Sequence, residues 1–363
     1  MAHIWSKGEI CLEKWRFIDL DLVVLPFLHS IEEAIAKEKF QNTLLLWRVK
    51  KPCITLGYFQ NVYQEVDVSA CEKLGIPIIR RMGGGGTGYL TPNVLAYSTI
   101  ASENSEAIPK NIEKSYEVIC NGVTLGLKEL TLDATFAPIN DVLLNGKKFS
   151  GSSQHRSYGM VIQHGFLSID LNLQDLATVI RVPMEKLQDK GASSLEERIT
   201  WINKELKRAG REDIGLDLVK EALRSGFEKA LKVNFSDGRL TDKELKAAEE
   251  FRKTFESETW NIKPRLFRRV NAQSVYKAKK GVIRVNAHII NGKISEILMT
   301  GDYIMHPVEA ITDLEAMLRG VKADEQHVRK TVNEFYKRKK ITTLGASPED
   351  FTLAIIKAIK ALT

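Results

Sequence analysis

One residue after a pair of arginines the chain places five glycines in six positions, in Ile79-Arg80-Arg81-Met82-Gly83-Gly84-Gly85-Gly86-Thr87-Gly88-Tyr89. β-type residues flank the run, so it reads as a loop between strands. It is not a P-loop, because no Lys-Ser/Thr follows, and it does not fit the glycine fingerprint that opens a helix in a doubly wound sheet. Bare backbone can approach a ligand closely, and the guanidinium groups supply fixed positive charge, a combination that suits an anion. Successive residues on a strand point to opposite faces, so one of Arg80 and Arg81 is expected to face that ligand.

A second stretch echoes the first: Asn140-Asp141-Val142-Leu143-Leu144-Asn145-Gly146-Lys147-Lys148-Phe149-Ser150-Gly151-Ser152-Ser153. Asn-Gly between two apolar runs signals a hairpin, because both central residues tolerate positive φ. Lys148 then sits on a strand beside Ser150, Gly151 and Ser152, small residues that leave room for a bound group, while Lys147 points to solvent. A lysine in a partly closed site can pair with a carboxylate and then with the phosphate that replaces it. Asp141 beside a phosphate site is a natural magnesium ligand. Taken alone, these residues also fit a surface hairpin and an ordinary turn, and His164, ending the hairpin system, fits a structural histidine.

Around these stretches, strand and helix patterns alternate. Strands are expected at Glu13 to Asp19, Thr43 to Val49, Cys53 to Tyr58, Ile76 to Arg80, Val94 to Ile100, Val142 to Leu144, Lys148 to Gln154 and Met160 to Leu171, with Lys50-Lys51-Pro52 as a hairpin-like break. Apolar residues at helical spacing mark Pro26 to Lys39, Val66 to Leu74, Pro109 to Leu130, Leu173 to Val179, Leu216 to Leu231 and Thr241 to Glu256. A polar connection is expected between Gln188 and Gly215. After Trp260-Asn261-Ile262-Lys263-Pro264 comes a shorter pattern: strands at Ser274 to Tyr276, Gly281 to Ile290 and Lys293 to Met299, then helices near Val308 to Leu318, Asp324 to Arg338 and Pro348 to Leu362. The reading is α+β, a mixed sheet core flanked by helices over residues 1–257 and a small α+β domain over 263–363.

No run approaches the length of a membrane span, and the N-terminus does not resemble a signal peptide, so a cytoplasmic protein without a membrane partner is expected. Cys11, Cys53, Cys71 and Cys120 lack disulfide or zinc spacing and read as buried thiols. Residues 1 to 240 carry 30 Lys and Arg against 30 Asp and Glu, whereas residues 241 to 363 carry 23 against 16 and so the whole net charge of +7. Lys277-Ala278-Lys279-Lys280 and Lys337-Arg338-Lys339-Lys340 could dock an acidic protein domain; with little aromatic interleaving, nucleic acid is not the expected partner.

The order of Arg80-Arg81, the glycines, Asn140-Asp141, Gly146 to Ser152, His164-Gly165 and Lys190 to Ile199 resembles the lipoate-protein ligase branch of the biotin/lipoate ligase and octanoyltransferase superfamily. Trp260-Asn261, Gly292, Gly301-Asp302 and Leu318-Arg319-Gly320 look like that family's C-terminal accessory domain. The resemblance implies a fold like that of class II synthetases and biotin ligases, and a ligase that activates lipoate with ATP and Mg2+ to lipoyl-AMP. The lipoyl group then passes to a lysine of an acceptor such as the 2-oxoacid dehydrogenase E2 component or the glycine cleavage H protein. By position, Lys148 matches the catalytic lysine, and Arg80, Arg81, Gly84, Gly85, Gly86, Asn140, Ser150, Gly151 and Ser152 match the lipoate and adenylate pocket, with Asp141 on the metal side. Gly83, Thr87, Gly88, Leu90 and Thr91 depart from the family pattern. Related octanoyltransferases use a cysteine just before the Asn140-Asp141 region; Thr135 to Ile139 contains none, which disfavours ATP-independent transfer through a thioester, the alternative activity. A basic binding module is the non-enzymatic alternative.

Overall fold

In the strand Thr43–Val49, Leu44 and Leu46 face one side and Leu45 and Trp47 the other, and all four are buried. A strand apolar on both faces must lie inside a sheet covered on both sides. The computed structural model of the chain, which describes residues 12–181, 195–262, 269–338 and 340–362, has that arrangement. Eight strands run in the order Val233–Asp237, Glu13–Val23, Thr43–Val49, Val94–Ser102, Met160–Ser168, Lys147–Ser157, Asp141–Leu144 and Ala134–Ala137. The first three are parallel and every later pairing is antiparallel.

Leu44, Leu46, Leu95 and Tyr97 pack under the helices Ile112–Glu129 and Leu216–Leu231, through Ile119, Val123, Leu223 and Phe227. Those helices approach closely, since a Cβ at Gly226 would collide with the backbone of Gly122 and Gly126. Leu45, Trp47, Ala96 and Ile162 pack under Leu25–Glu38 and Asp242–Phe255, through Leu28, Ile31, Ile35, Ala247 and Ala248. The second of these helices starts on a capping box between Thr241 and Glu244, and Glu244 also takes the buried Arg16 guanidinium at 2.6 and 2.9 Å. One carboxylate thus fixes a helix start and ties it to the first strand.

The expected hairpin across Lys50-Lys51-Pro52 is not formed. Thr43–Val49 lies inside the large sheet, whereas Cys53–Leu56 is the centre of a separate three-stranded sheet, parallel to Ile78–Arg80 and antiparallel to Gly88–Leu90. The glycine loop therefore joins the two outer strands of this small sheet and crosses the end of its middle one. The expected polar connection holds a helix at Ile202–Arg208, because Ile202 and Leu206 reach the core; residues 188–194 lie outside the described residues. Val233–Asp237 is an edge strand that polar residues hid from the pattern.

Towards the C-terminus, Ala272–Lys277, Val282–Ile290 and Lys293–Gly301 form an antiparallel sheet covered by the helices Ala310–Leu318, Glu325–Arg338 and Pro348–Lys360. Its apolar core includes Val285, Met299, Leu314, Val332 and Phe351, and also Phe59, which stacks on Tyr303 at 4.5 Å between ring centres. Lys263 and Pro264 of the expected boundary lie outside the described residues. Among the described residues, no helix is long and apolar enough to cross a membrane.

Candidate active site

Asn145 and Gly146 adopt φ of 50° and 73°, the two positive values that a two-residue hairpin turn demands. Beyond the turn the pairing slips: Leu143 faces Lys148 but Val142 faces Ser150, leaving Phe149 as an extra residue. Such a bulge re-aims the neighbouring side chains. Phe149 goes into the core, while the Lys148 ammonium lies 2.8 Å from Oδ1 of Asp141. Gly151 forms the floor beneath this pair, since a Cβ there would stand 3.3 Å from Nζ of Lys148 and 3.5 Å from the Asp141 carboxylate. Asn140 locks the neighbouring strand: its Nδ2 donates to the Ser152 carbonyl at 2.6 Å, and the Ser152 amide donates to the Asn140 carbonyl at 2.8 Å. Ser150 is fully buried beside them. Lys147, expected in solvent, is half-buried on the side of Glu205.

Burial raises the Asp141 carboxyl, but Lys148 and then Lys280 outweigh it and hold the group below its ordinary value. Lys280 was not among the expected site residues. Its ammonium lies 3.1 Å from the second oxygen, Oδ2, of Asp141, delivered by the turn between the first two C-terminal strands. Oδ1 of Asp141 is buried and has no aligned hydrogen-bond donor despite the nearby ammonium. A carboxylate of this kind is the oxygen ligand that a hard divalent cation takes, so Asp141 is the residue of the site that could hold one.

The glycine loop lies across the same strand two residues further on. Ser153 Oγ donates to the Gly84 carbonyl at 2.9 Å, and a Cβ at Gly83 would collide with that hydroxyl. This packing accounts for the glycine at position 83. On its other side the loop meets the C-terminal sheet: the Gly85 amide donates to the Tyr303 carbonyl at 3.2 Å, and a Cβ at Gly84 would stand 2.7 Å from it. Gly85 itself has φ of 93°, and Gly86 faces Asp302. Of the remaining departures, Thr87 donates to Gln60 at 3.2 Å, Gly88 packs against Thr55 and Phe166, and Leu90 is buried.

Neither arginine stands with its guanidinium in open space. Arg80 donates to the carbonyls of Gly57, Tyr58 and Gln60 at 2.7 to 3.1 Å, and to those of Trp260 and Asn261 at 3.2 Å. Arg81 lies beneath the loop and donates to Gly84 and Gly86 at 2.9 and 2.7 Å; burial pulls it down to about 10, which still leaves it charged at neutral pH. The expectation was that one of the pair faces a ligand; both are buried instead, Arg81 beneath the glycine loop and Arg80 holding the turn 57–60 beside it.

His164 is not a lone histidine. Its Nδ1 lies 3.2 Å from Glu32, which also meets His29 Nδ1 at 2.8 Å and accepts from Ser98 at 2.5 Å. The ligand atoms of His29, Glu32 and His164 all fall within 4.8 Å of one another, but the carboxylate is already satisfied by three donors, and the group reads as a closed buried network. Cys120 sits 3.5 Å from the Ser152 hydroxyl; burial pushes its thiol up to about 11, so it is held protonated. Cys53 and Cys71 are likewise buried, and Cys11 lies outside the described residues. A cleft of about 590 Å³ opens beside Tyr89, Thr91, Asp170, Asn172 and Trp201, but Lys148, Asp141 and the loop glycines do not line it.

With this geometry in view, the chain can be set beside known proteins. Residues 27–228 match the family described as the lipoyl protein ligase A/B catalytic domain, and residues 269–355 match the bacterial lipoate protein ligase C-terminus. The octanoyltransferase LipM of Geobacillus kaustophilus is 30% identical over 279 residues, which span 69% of this chain and 99% of that protein. Among solved structures, the bipartite lipoate protein ligase of the archaeal lipoylation system of Thermoplasma acidophilum, studied with its E2 lipoyl domain, superimposes with a TM-score of 0.60 at 28% identity, covering 71% of this chain and 100% of that one. A lipoate-protein ligase A bound with ATP gives a TM-score of 0.58 at 25% identity, covering 69% and 99%.

Proposed function

We propose that this chain, which belongs to the lipoyl protein ligase A/B catalytic family, is an ATP-dependent lipoate-protein ligase. The observation that carries the reading is the closure of the C-terminal region onto the site: Tyr303 holds the glycine loop while Lys280 reaches the carboxylate that faces Lys148. The relative named as an octanoyltransferase accounts for 69% of this chain, whereas the region matching the ligase C-terminus is the part that completes the site here. The similarity to a ligase bound with ATP supports the same reading.

In the first step a carboxylate oxygen of lipoate attacks the α-phosphorus of ATP; a C–O–P anhydride forms and pyrophosphate leaves. Two anions must meet, so most of the work is positioning and charge. Lys148 exchanges the Asp141 carboxylate for the incoming carboxylate and phosphate oxygens, and Arg81 supplies positive potential from beneath the loop while Gly84 to Gly86 keep the backbone open to the ligand. Asp141 Oδ1 would hold a nucleotide-borne Mg2+, which when bound neutralises phosphate charge. In the second step the neutral amine of an acceptor lysine attacks the acyl carbonyl, AMP departs and the amine proton is lost, leaving an amide. Asn140, Ser150, Gly151 and Ser152 form the wall behind Lys148, and Arg80 acts through the turn 57–60 that it holds, whose Tyr58 amide donates to the Gly83 carbonyl at 2.9 Å. The acceptor is read as a lipoyl domain of the E2 or glycine cleavage H type, in the cytoplasm.

ATP-independent acyl transfer remains as a second reading because of the LipM relative; against it, the cysteines among the described residues, Cys53, Cys71 and Cys120, are all buried. Incubation with lipoate, ATP, Mg2+ and a lipoyl domain tests the proposal. A mass increase on the acceptor lysine that requires ATP supports it; an unmodified acceptor, when a control ligase modifies it, sinks it.

A further inference from the structure

Among Lys277, Lys279 and Lys280, the first and second are exposed while Lys280 is half-buried and turned towards the candidate site. The turn that carries it is fixed on three sides. The Ala278 amide closes it on the Gly281 carbonyl at 3.1 Å, the Lys280 amide donates to the Gly345 carbonyl at 2.7 Å, and the Val282 amide donates to Asp302 Oδ1 at 2.5 Å. Asp302 also faces Gly86 of the glycine loop, so the carboxylate that anchors the Lys280 turn lies beside that loop. Gly345 admits no side chain, since a Cβ there would stand 2.6 Å from the Lys280 Cβ and 2.9 Å from Ile139, the residue before Asn140. The turn is therefore wedged against the start of the Asn140-Asp141 segment. A second tie, the buried pair of Arg284 with Glu65 at 2.6 Å, holds the same sheet to the catalytic side.

Two ammonium groups thus approach the two oxygens of one carboxylate, one from each part of the chain. We propose that Lys280 is a second phosphate-binding residue of the active site, supplied by the C-terminal region and used in adenylate formation. The proposal rests on the ligase reading above. When nucleotide enters beside Lys148, Asp141 is the group Lys280 leaves, and the nearest anions are the nucleotide phosphates. A lysine suits this exchange, being a compact charge on a flexible stem. The acceptor amine, by contrast, must reach an adenylate whose pyrophosphate has gone, so the transfer step draws less on Lys280. No bond to Lys280 forms or breaks; its effect is electrostatic and is made when the two anions are brought together.

The test compares wild type with Lys280→Ala, Lys280→Arg and the exposed control Lys279→Ala in the full chain. Two rates are read: lipoate-dependent exchange of pyrophosphate into ATP, and transfer from added lipoyl-adenylate to a lipoyl domain. For Lys280→Ala, exchange is expected to fall roughly 10- to 100-fold with a raised KM for ATP, transfer to fall by a much smaller factor, Lys280→Arg to recover most of the loss, and Lys279→Ala to match wild type. Exchange within about twofold of wild type in Lys280→Ala overturns the proposal. Equal losses in both rates, unrelieved by Arg, overturn it too, because they mark a residue that only holds the fold. Wild type that transfers from added adenylate but shows no exchange with ATP overturns the ligase reading itself, and this proposal with it.

Discussion

The Lys148 ammonium lies 2.8 Å from Oδ1 of Asp141, and the bulge at Phe149 is what sets the two side chains against each other. Ion pairs of this kind hold a cation ready for a different anion. With 46% of its side chain exposed, Lys148 is not part of the core, whereas Asp141 is 16% exposed and anchored. In the proposed mechanism, exchange of the counter-ion therefore moves the lysine and leaves the strand in place.

Lys148→Ala should consequently separate chemistry from folding. Adenylate formation, read as lipoate-dependent pyrophosphate release, is expected to drop by roughly 100-fold or more. The thermal midpoint is expected within about 4 °C of wild type, a shift of under ~1 kcal/mol. Full activity in the variant would remove Lys148 from the site.

Arg80→Ala should do the reverse. Its guanidinium serves five backbone carbonyls on the turn 57–60 and the helix Glu258–Asn261, and removal strands several buried acceptors at once. Loss of about 3 kcal/mol in urea unfolding is expected. Arg80→Lys should recover little of it, since an ammonium cannot reproduce a planar fork.

Gly84→Ala puts a Cβ 2.7 Å from the Tyr303 carbonyl and 3.0 Å from the Phe59 ring. Backbone on one side and a buried ring on the other leave little room to yield, so a cost of roughly 1–3 kcal/mol is expected. Limited proteolysis should show the C-terminal region cut faster than in wild type; an unchanged digestion pattern would contradict the contact.

Burial holds the His306 ring down to about 3, with Arg156 and His155 adding to the effect. Unfolded, that ring takes up a proton near its ordinary value of about 6.5. Between these values the unfolded chain binds more protons, so stability is lost as pH falls below about 6.5, by up to ~1.4 kcal/mol per pH unit for this one ring. His164, also lowered chiefly by burial, adds a loss of the same sign. His155 is raised by Glu33 against burial, so its contribution is complete below 6.5 and disappears only as pH rises. Urea unfolding from pH 6.5 to 5 should therefore give a steeper decline for wild type than for His306→Asn, and equal slopes would contradict the assignment.

Where one periodicity dominated, the elements were legible in the sequence. The helix Leu216–Leu231 spans the residues its apolar spacing marks, and Asn145-Gly146 makes the turn its chemistry requires. Pairing partners were not legible: nothing local reveals that Thr43–Val49 and Cys53–Leu56 part into different sheets, because both are simply apolar. Three-residue strands such as Gly88–Leu90, Ile304–His306 and Thr342–Leu344 are too short to carry a period. Lys148, Asp141, Asn140 and the small residues, which motif order grouped, lie together in the structure. Arg80 shows the limit of reading charge alone, since a buried guanidinium saturated by carbonyls looks in sequence like one aimed at a ligand. Lys280 was hidden for a related reason: in a run of lysines only tertiary packing decides which one turns inward, and the tract read as a docking patch.

The most direct measurement is isotope exchange between pyrophosphate and ATP in the absence of any acceptor protein. Exchange that requires both lipoate and Mg2+, and persists in Cys120→Ser, is the expected result, because in the proposed mechanism the carboxyl is activated on the nucleotide and the buried thiol takes no part. No exchange, together with acyl transfer from an octanoyl-loaded carrier protein without ATP, would contradict the adenylating site.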